Sequence, residues 1–120
     1  MEKKDLKPAG VFKYFEEICQ VPRPSKKEEK MIAYLKAFGA KHNLETKVDE
    51  AGNVLIKKPA TPGKENLQTV VLQSHIDMVC EKNNDVQHDF LTDPIETEID
   101  GEWLKAKGTT LGADNGIGVA

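Results

Sequence analysis

Val70-Val71-Leu72 is the stretch that most restricts what this 120-residue chain can fold into. Its three apolar residues follow one another without the alternation of a half-wet strand. Leu67–Leu72 is therefore expected to be a strand covered on both faces. Cover on both faces implies an α/β layer arrangement, a mixed sheet flanked by helices. Such a strand would end by presenting His75 and Asp77 just past its carboxyl end, where open α/β sheets place their ligands.

The residues before it supply the flanking elements. Pro8 can open a helix, and Val11, Phe12, Phe15, Ile18 and Cys19 then form one apolar face at helical spacing. Val21-Pro22-Arg23-Pro24 stops that helix, because neither proline can donate the next backbone bond. Ser25 and Glu28 have capping-box spacing for a second helix with the stripe Met31, Ile32, Leu35 and Phe38, fading near His42-Asn43. Thr46 and Val48 alternate with charged residues, and Glu50–Asn53 turns the chain into a returning strand over Asn53–Lys58. Pro59–Asn66 is a polar loop. Ile95–Ile99 and Glu102–Ala106 flank Asp100-Gly101, a type I′ hairpin signal, with Trp103 and Leu104 expected to fix that hairpin on the body. Asn115–Ala120 reads as the first turn and a half of a helix with nothing after it, so the chain is expected to be the N-terminal portion of a longer one.

Composition closes off several classes of function. A net charge of −3, with Lys and Glu interspersed, offers no basic face for nucleic acid. No apolar run exceeds five residues, against the roughly 20 needed to span a bilayer, and Met1–Gly10 has no apolar signal region. Cys19 and Cys80 have no C-x-x-C spacing and read as free thiols of a reducing, cytoplasmic compartment.

Two segments carry residues fit for chemistry. In extended backbone His75 and Asp77 point to the same side, so the aspartate can hold one ring nitrogen while the other faces a metal ion. A surface histidine beside a loop aspartate fits the same triplet. Asp114, in GADNGIG, is a carboxylate on a turn whose small neighbours would let a metal ion and substrate approach the backbone. As an N-cap, with Gly112, Gly116 and Gly118 serving tight turns, it fits equally well. The glycines match neither a P-loop nor the G-x-G-x-x-G spacing, so this turn is not read as a phosphate cradle. His42 reads as a solvated residue at a helix end, and His88 as a loop residue packing Phe90.

Together, VVLQSHIDMVCEKN and KGTTLGADNGIGVA resemble the first two metal-site motifs of the co-catalytic zinc peptidases, the family of carboxypeptidase G and the tripeptidases. CEKNND, HDF, DPI and IDGEW, with EEICQVPRPSKKEE and GNVLIKKPAT, resemble its aminoacyl-histidine dipeptidase branch, so the likeness spans nearly the whole chain. The resemblance implies that His75 is a zinc ligand, that Asp77 is the catalytic-site acid orienting it, and that Asp114 is the carboxylate bridging two zinc ions. It implies a cis peptide bond at Asp114–Asn115. It also implies the N-terminal part of a catalytic domain, truncated at Ala120. The catalytic Glu, the other ligands and a lid domain through which the parent dimerises would lie beyond Ala120. The activity implied is hydrolysis of Xaa-His, carnosine-like dipeptides by a water that two zinc ions, or other divalent metals, activate. This portion alone would be inactive. A related aminopeptidase, tripeptidase or N-acyl amino acid hydrolase, and a non-catalytic truncated module, are the alternatives.

Overall fold

A computed structural model describes residues 1–120. The class is α/β, with three short helices and four short strands. The chain divides into two units, Met1–Met31 with Ser74–Ala120, and Ile32–Gln73.

The first unit holds α1 (Ala9–Cys19), preceded by a 3-10 turn at Lys3–Asp5. Pro8 is its N-cap, behind a cis Lys7–Pro8 bond. Phe15, Ile18 and Cys19 of the expected apolar face are buried, and Phe15 and Cys19 form a core with Met78 and Ile95. Burial pushes the Cys19 thiol up to about 12, with Glu16 adding to the effect. Thr97 ties the C-terminal hairpin to α1, its hydroxyl donating to Glu16 Oε1 at 2.6 Å and accepting from Lys3 Nζ at 2.9 Å.

That hairpin pairs β3 (Thr97–Asp100) with β4 (Trp103–Ala106), Asp100 opposite Trp103. The two-residue turn is therefore Gly101-Glu102 rather than Asp100-Gly101. Gly101 alone has positive φ, +61°, which is the type II′ arrangement with glycine first, not type I′. The register puts Leu104 and Ala106 against the core, while Trp103 is 72% exposed and does not anchor the hairpin. α3 (Ala113–Val119) closes the unit by packing on α1.

In the second unit α2 (Glu29–Lys41) begins in the first and continues to a left-handed Asn43 at φ +55°. Asn43 N–H donates to Ala40 O at 3.1 Å and Leu44 N–H to Gly39 O at 2.9 Å, which is a Schellman stop with asparagine at its left-handed position. His42 is exposed there and lies against Phe38, ring centroids 4.3 Å apart. β1 (Glu45–Val48) and β2 (Val54–Lys57) pair antiparallel around the Asp49–Asn53 turn, as the alternation implied.

Two further expectations fail. The capping box does not form: Ser25 sits in a turn closed by Lys27 N–H on Pro24 O at 2.8 Å, Glu28 Oε1 accepts from Lys26 N–H, and α2 starts at Glu29. Val70, Val71 and Leu72 are 79, 77 and 92% exposed and belong to no strand. An unalternating apolar run is stable as a strand only between two partners, and the strands of this chain pair within their own hairpins.

Candidate metal centre

Two backbone pairings within the first unit bring the two chemical segments together. The Arg23–Ser25 stretch runs parallel to Ile76–Met78, with a bridge between Pro24 and Met78 and Met78 N–H donating to Arg23 O at 3.0 Å. Immediately afterwards the chain runs antiparallel to the glycine-rich segment through a Lys82–Thr109 bridge. Thr110 N–H donates to Glu81 O at 2.9 Å, and the Thr110 hydroxyl donates to Val79 O at 2.8 Å.

This pairing brings together His75, Asp77 and Asp114, the three residues singled out by sequence. His75 Nδ1 lies 2.9 Å from Asp77 Oδ1, and Nε2 lies 3.0 Å from Asp114 Oδ1. The imidazole is thus held between two carboxylates. Hydrogen bonding to Asp114, then to Asp77, raises the His75 pKa above the ordinary imidazole value. Asp77 is held below the usual carboxylate range, first by the Ser25 hydroxyl, which donates to its Oδ2 at 2.5 Å, and then by His75 against some desolvation.

Asp114 does not cap a helix. Gly112 occupies the N-cap position, Asp114 and Asn115 have non-helical backbone angles, and the bond between them is cis. The Asp114 side chain is 96% exposed, which leaves its carboxylate accessible to a ligand.

Two residues that the sequence placed only at helix boundaries prove central. Arg23 is 2% exposed, and its guanidinium donates to Ile76 O at 3.2 Å, Asp77 O at 3.3 Å and Gly112 O at 2.7 Å. Burial lowers its pKa, opposed by the neighbouring thiols and Asp77. The glycines of the second segment make room for it. A Cβ at Gly112 would stand 2.7 Å from Arg23 Nη2 and 2.8 Å from Met78 Sδ, and one at Gly116 would stand 2.6 Å from Nη2. Ser25 had been assigned by its spacing to a helix cap. Its bond to a carboxylate is charge-assisted and stronger than a bond to a backbone N–H, and no local spacing announces a partner 52 residues away.

A neutral imidazole nitrogen and an accessible carboxylate are donors that zinc takes, and an aspartate on the far ring nitrogen is the usual companion of a ligating histidine. The residues present fit part of a metal site. No group of three or more His, Cys, Asp or Glu is arranged so that it could hold a metal ion, and with Asp77 on Nδ1 of His75 the set offered is two donors. Two concavities lie elsewhere, one lined by Val86, His88, Glu96 and Lys107, the other by Glu81, Lys105 and Thr110. His88 stacks on Phe90 at 4.5 Å, as expected, with Nε2 buried and without a hydrogen-bond partner.

No family model matches the chain. The chain is 51% identical over 119 residues to the cytosol non-specific dipeptidase of Escherichia coli, a match covering 99% of this chain and 24% of that protein. Its structure is similar to the crystal structure of aminoacylhistidine dipeptidase from Vibrio alginolyticus, with a TM-score of 0.94 and 54% identity, again over 99% of this chain and 24% of the other. The chain thus spans about a quarter of the length of these relatives. The likeness carried by the motifs extends along the whole sequence given.

Proposed function

We propose that this chain is the N-terminal part of the catalytic domain of a metallodipeptidase, and that His75 and Asp114 are two of its metal ligands. The observation that carries the reading is the position of His75, one ring nitrogen on Asp77 and the other on Asp114. When bound, a divalent metal lowers the pKa of a coordinated water and polarises the scissile carbonyl.

The residues of this chain have separate tasks. Asp77 accepts the Nδ1–H of His75, which fixes the tautomer that leaves Nε2 able to bind a cation. Asp114 supplies a carboxylate with two oxygens, one beside Nε2 and the other available to a second cation. Asp77 is engaged by Ser25 and His75, and Asp114 is assigned to the metal, so neither is assigned the role of general base. Two donors fall short of the three protein ligands usual at catalytic zinc, which supports an active centre completed by the rest of the protein.

The substrates are dipeptides, with Xaa-His dipeptides the first reading, supported by the likeness to an aminoacylhistidine dipeptidase. A broader dipeptide range is the second, supported by the non-specific dipeptidase name of the other relative. A cytosolic location fits that relative's name and the two free cysteines, and no helix is long and apolar enough to cross a membrane. Hydrolysis assays of the full-length protein on β-Ala-His, Ala-Ala, Gly-Gly-Gly and N-acetyl amino acids test the substrate reading. Turnover of β-Ala-His but not Ala-Ala supports the first, turnover of both supports the second, and turnover of only the tripeptide or the N-acyl substrates overturns both.

A further inference from the structure

Arg23 and Ser25 lie on one short segment, VPRPS, and each reaches a different part of the candidate centre. Arg23 is a buried charge, and removing a charge from water is costly unless fixed dipoles replace the hydration. Here three backbone carbonyls replace it at Nη1 and Nη2, while the buried Nε has no hydrogen-bond partner. Two of them, Ile76 O and Asp77 O, flank the Asp77 Cα. The third, Gly112 O, comes two residues before Asp114. A residue that only filled space would need no charge and would bind no carbonyl.

The guanidinium is planar and presents its donors in a rigid fork. Nη1 takes the His75–Asp77 segment and Nη2 takes the Asp114 segment, so the fork sets the spacing between the two carriers. Gly112 and Gly116 are small where the guanidinium passes, and a Cβ at either would displace it. Ser25 acts from the same segment on the side chain itself. By donating to Oδ2 of Asp77 it leaves Oδ1 for His75 Nδ1.

We infer that Arg23 and Ser25 are positioning residues of the His75–Asp77–Asp114 group. Arg23 fixes the distance between its two backbone carriers, and Ser25 fixes the rotation of Asp77 that orients the imidazole. The inference rests on the metal reading of that group.

The test uses the full-length protein and its Ser25→Ala, Ser25→Thr and Arg23→Lys variants. Cobalt(II) replaces the native metal, and the readouts are the visible ligand-field spectrum, metal affinity by chelator competition, and the melting temperature. Ser25 is exposed, so Ser25→Ala should melt like the parent. Its metal affinity should fall about tenfold, the lower end of the range for groups behind a metal ligand, and Ser25→Thr should restore it. Arg23→Lys, which offers a point charge in place of a fork, should alter the cobalt spectrum of the folded protein as well as lower its melting temperature. Wild-type affinity and spectrum in both Ser25→Ala and folded Arg23→Lys would overturn the inference, since a purely structural role moves only the melting temperature. A parent protein that binds no cobalt would instead overturn the metal reading, and this inference with it.

Discussion

His75 Nε2 lies 3.0 Å from Asp114 Oδ1, across 39 residues of sequence, while Nδ1 of the same ring lies 2.9 Å from Asp77 Oδ1. A ring with a carboxylate at each nitrogen is stabilised as the imidazolium when no metal is bound. Without metal, His75 should therefore titrate above the ordinary imidazole value, and Asp114→Asn should lower its pKa more than Asp77→Asn, since the Asp114 bond is the larger cause. Proton NMR of the ring through a pH series checks this. A group whose pKa is raised on folding adds stability that is fully present below the unfolded value of about 6.5 and is lost as pH rises through the folded value. The metal-free protein should thus lose this contribution on the alkaline side, where a metal ion competes best for Nε2.

A chain of residues 1–120 offers a metal ion two donors and no third. Isothermal titration calorimetry with zinc should therefore give a weak isotherm that does not saturate stoichiometrically. Tight one-to-one binding that disappears in Asp114→Ala would show that the site is more complete in this chain than its donors imply.

Gly112 and Gly63 share a left-handed backbone, φ +79° and +84°, but differ in their surroundings. A Cβ at Gly63 meets nothing within 4 Å, whereas one at Gly112 runs into Arg23 and Met78. Gly63→Ala should cost about 1 kcal/mol, the strain of the left-handed conformation alone. Gly112→Ala should cost about 1–3 kcal/mol more, from overpacking against a buried charge. Urea denaturation of both variants measures the difference.

Val71 is 77% exposed between Val70 and Leu72, an apolar run of high strand propensity with no partner in the chain. Such a run is a template for association. In the 1–120 chain, Val71→Lys should leave the melting transition within about 0.5 kcal/mol of the parent, because no packed contact is lost. It should also reduce self-association by light scattering.

What sequence could show here followed the range of the signal. The amphipathic face of α1 and both hairpins are local, with periodicity or turn chemistry of a few residues, and they were legible. The turn type at Gly101-Glu102 was not, because one glycine suits two registers. His75, Asp77 and Asp114 were legible as residue types, and the motifs they sit in joined them. Arg23 and Ser25 were hidden because their partners lie 52 to 89 residues away. The glycines of GADNGIG were noticed and assigned to turns or to ligand access. At Gly112 and Gly116 the nearest atoms are those of the buried guanidinium. Val70–Leu72 misled for a different reason: its composition describes a strand with neighbours on both sides, and this chain supplies none.

His75 and Asp114 are proposed to hold the metal that serves dipeptide hydrolysis. Metal analysis of purified full-length His75→Ala and Asp114→Ala, together with their turnover of β-Ala-His, tests it most directly. Both variants should remain folded, since the two side chains are largely exposed. Each should lose bound metal and about a hundredfold or more in kcat. Full metal content and unchanged turnover in both variants would show that neither residue holds the metal.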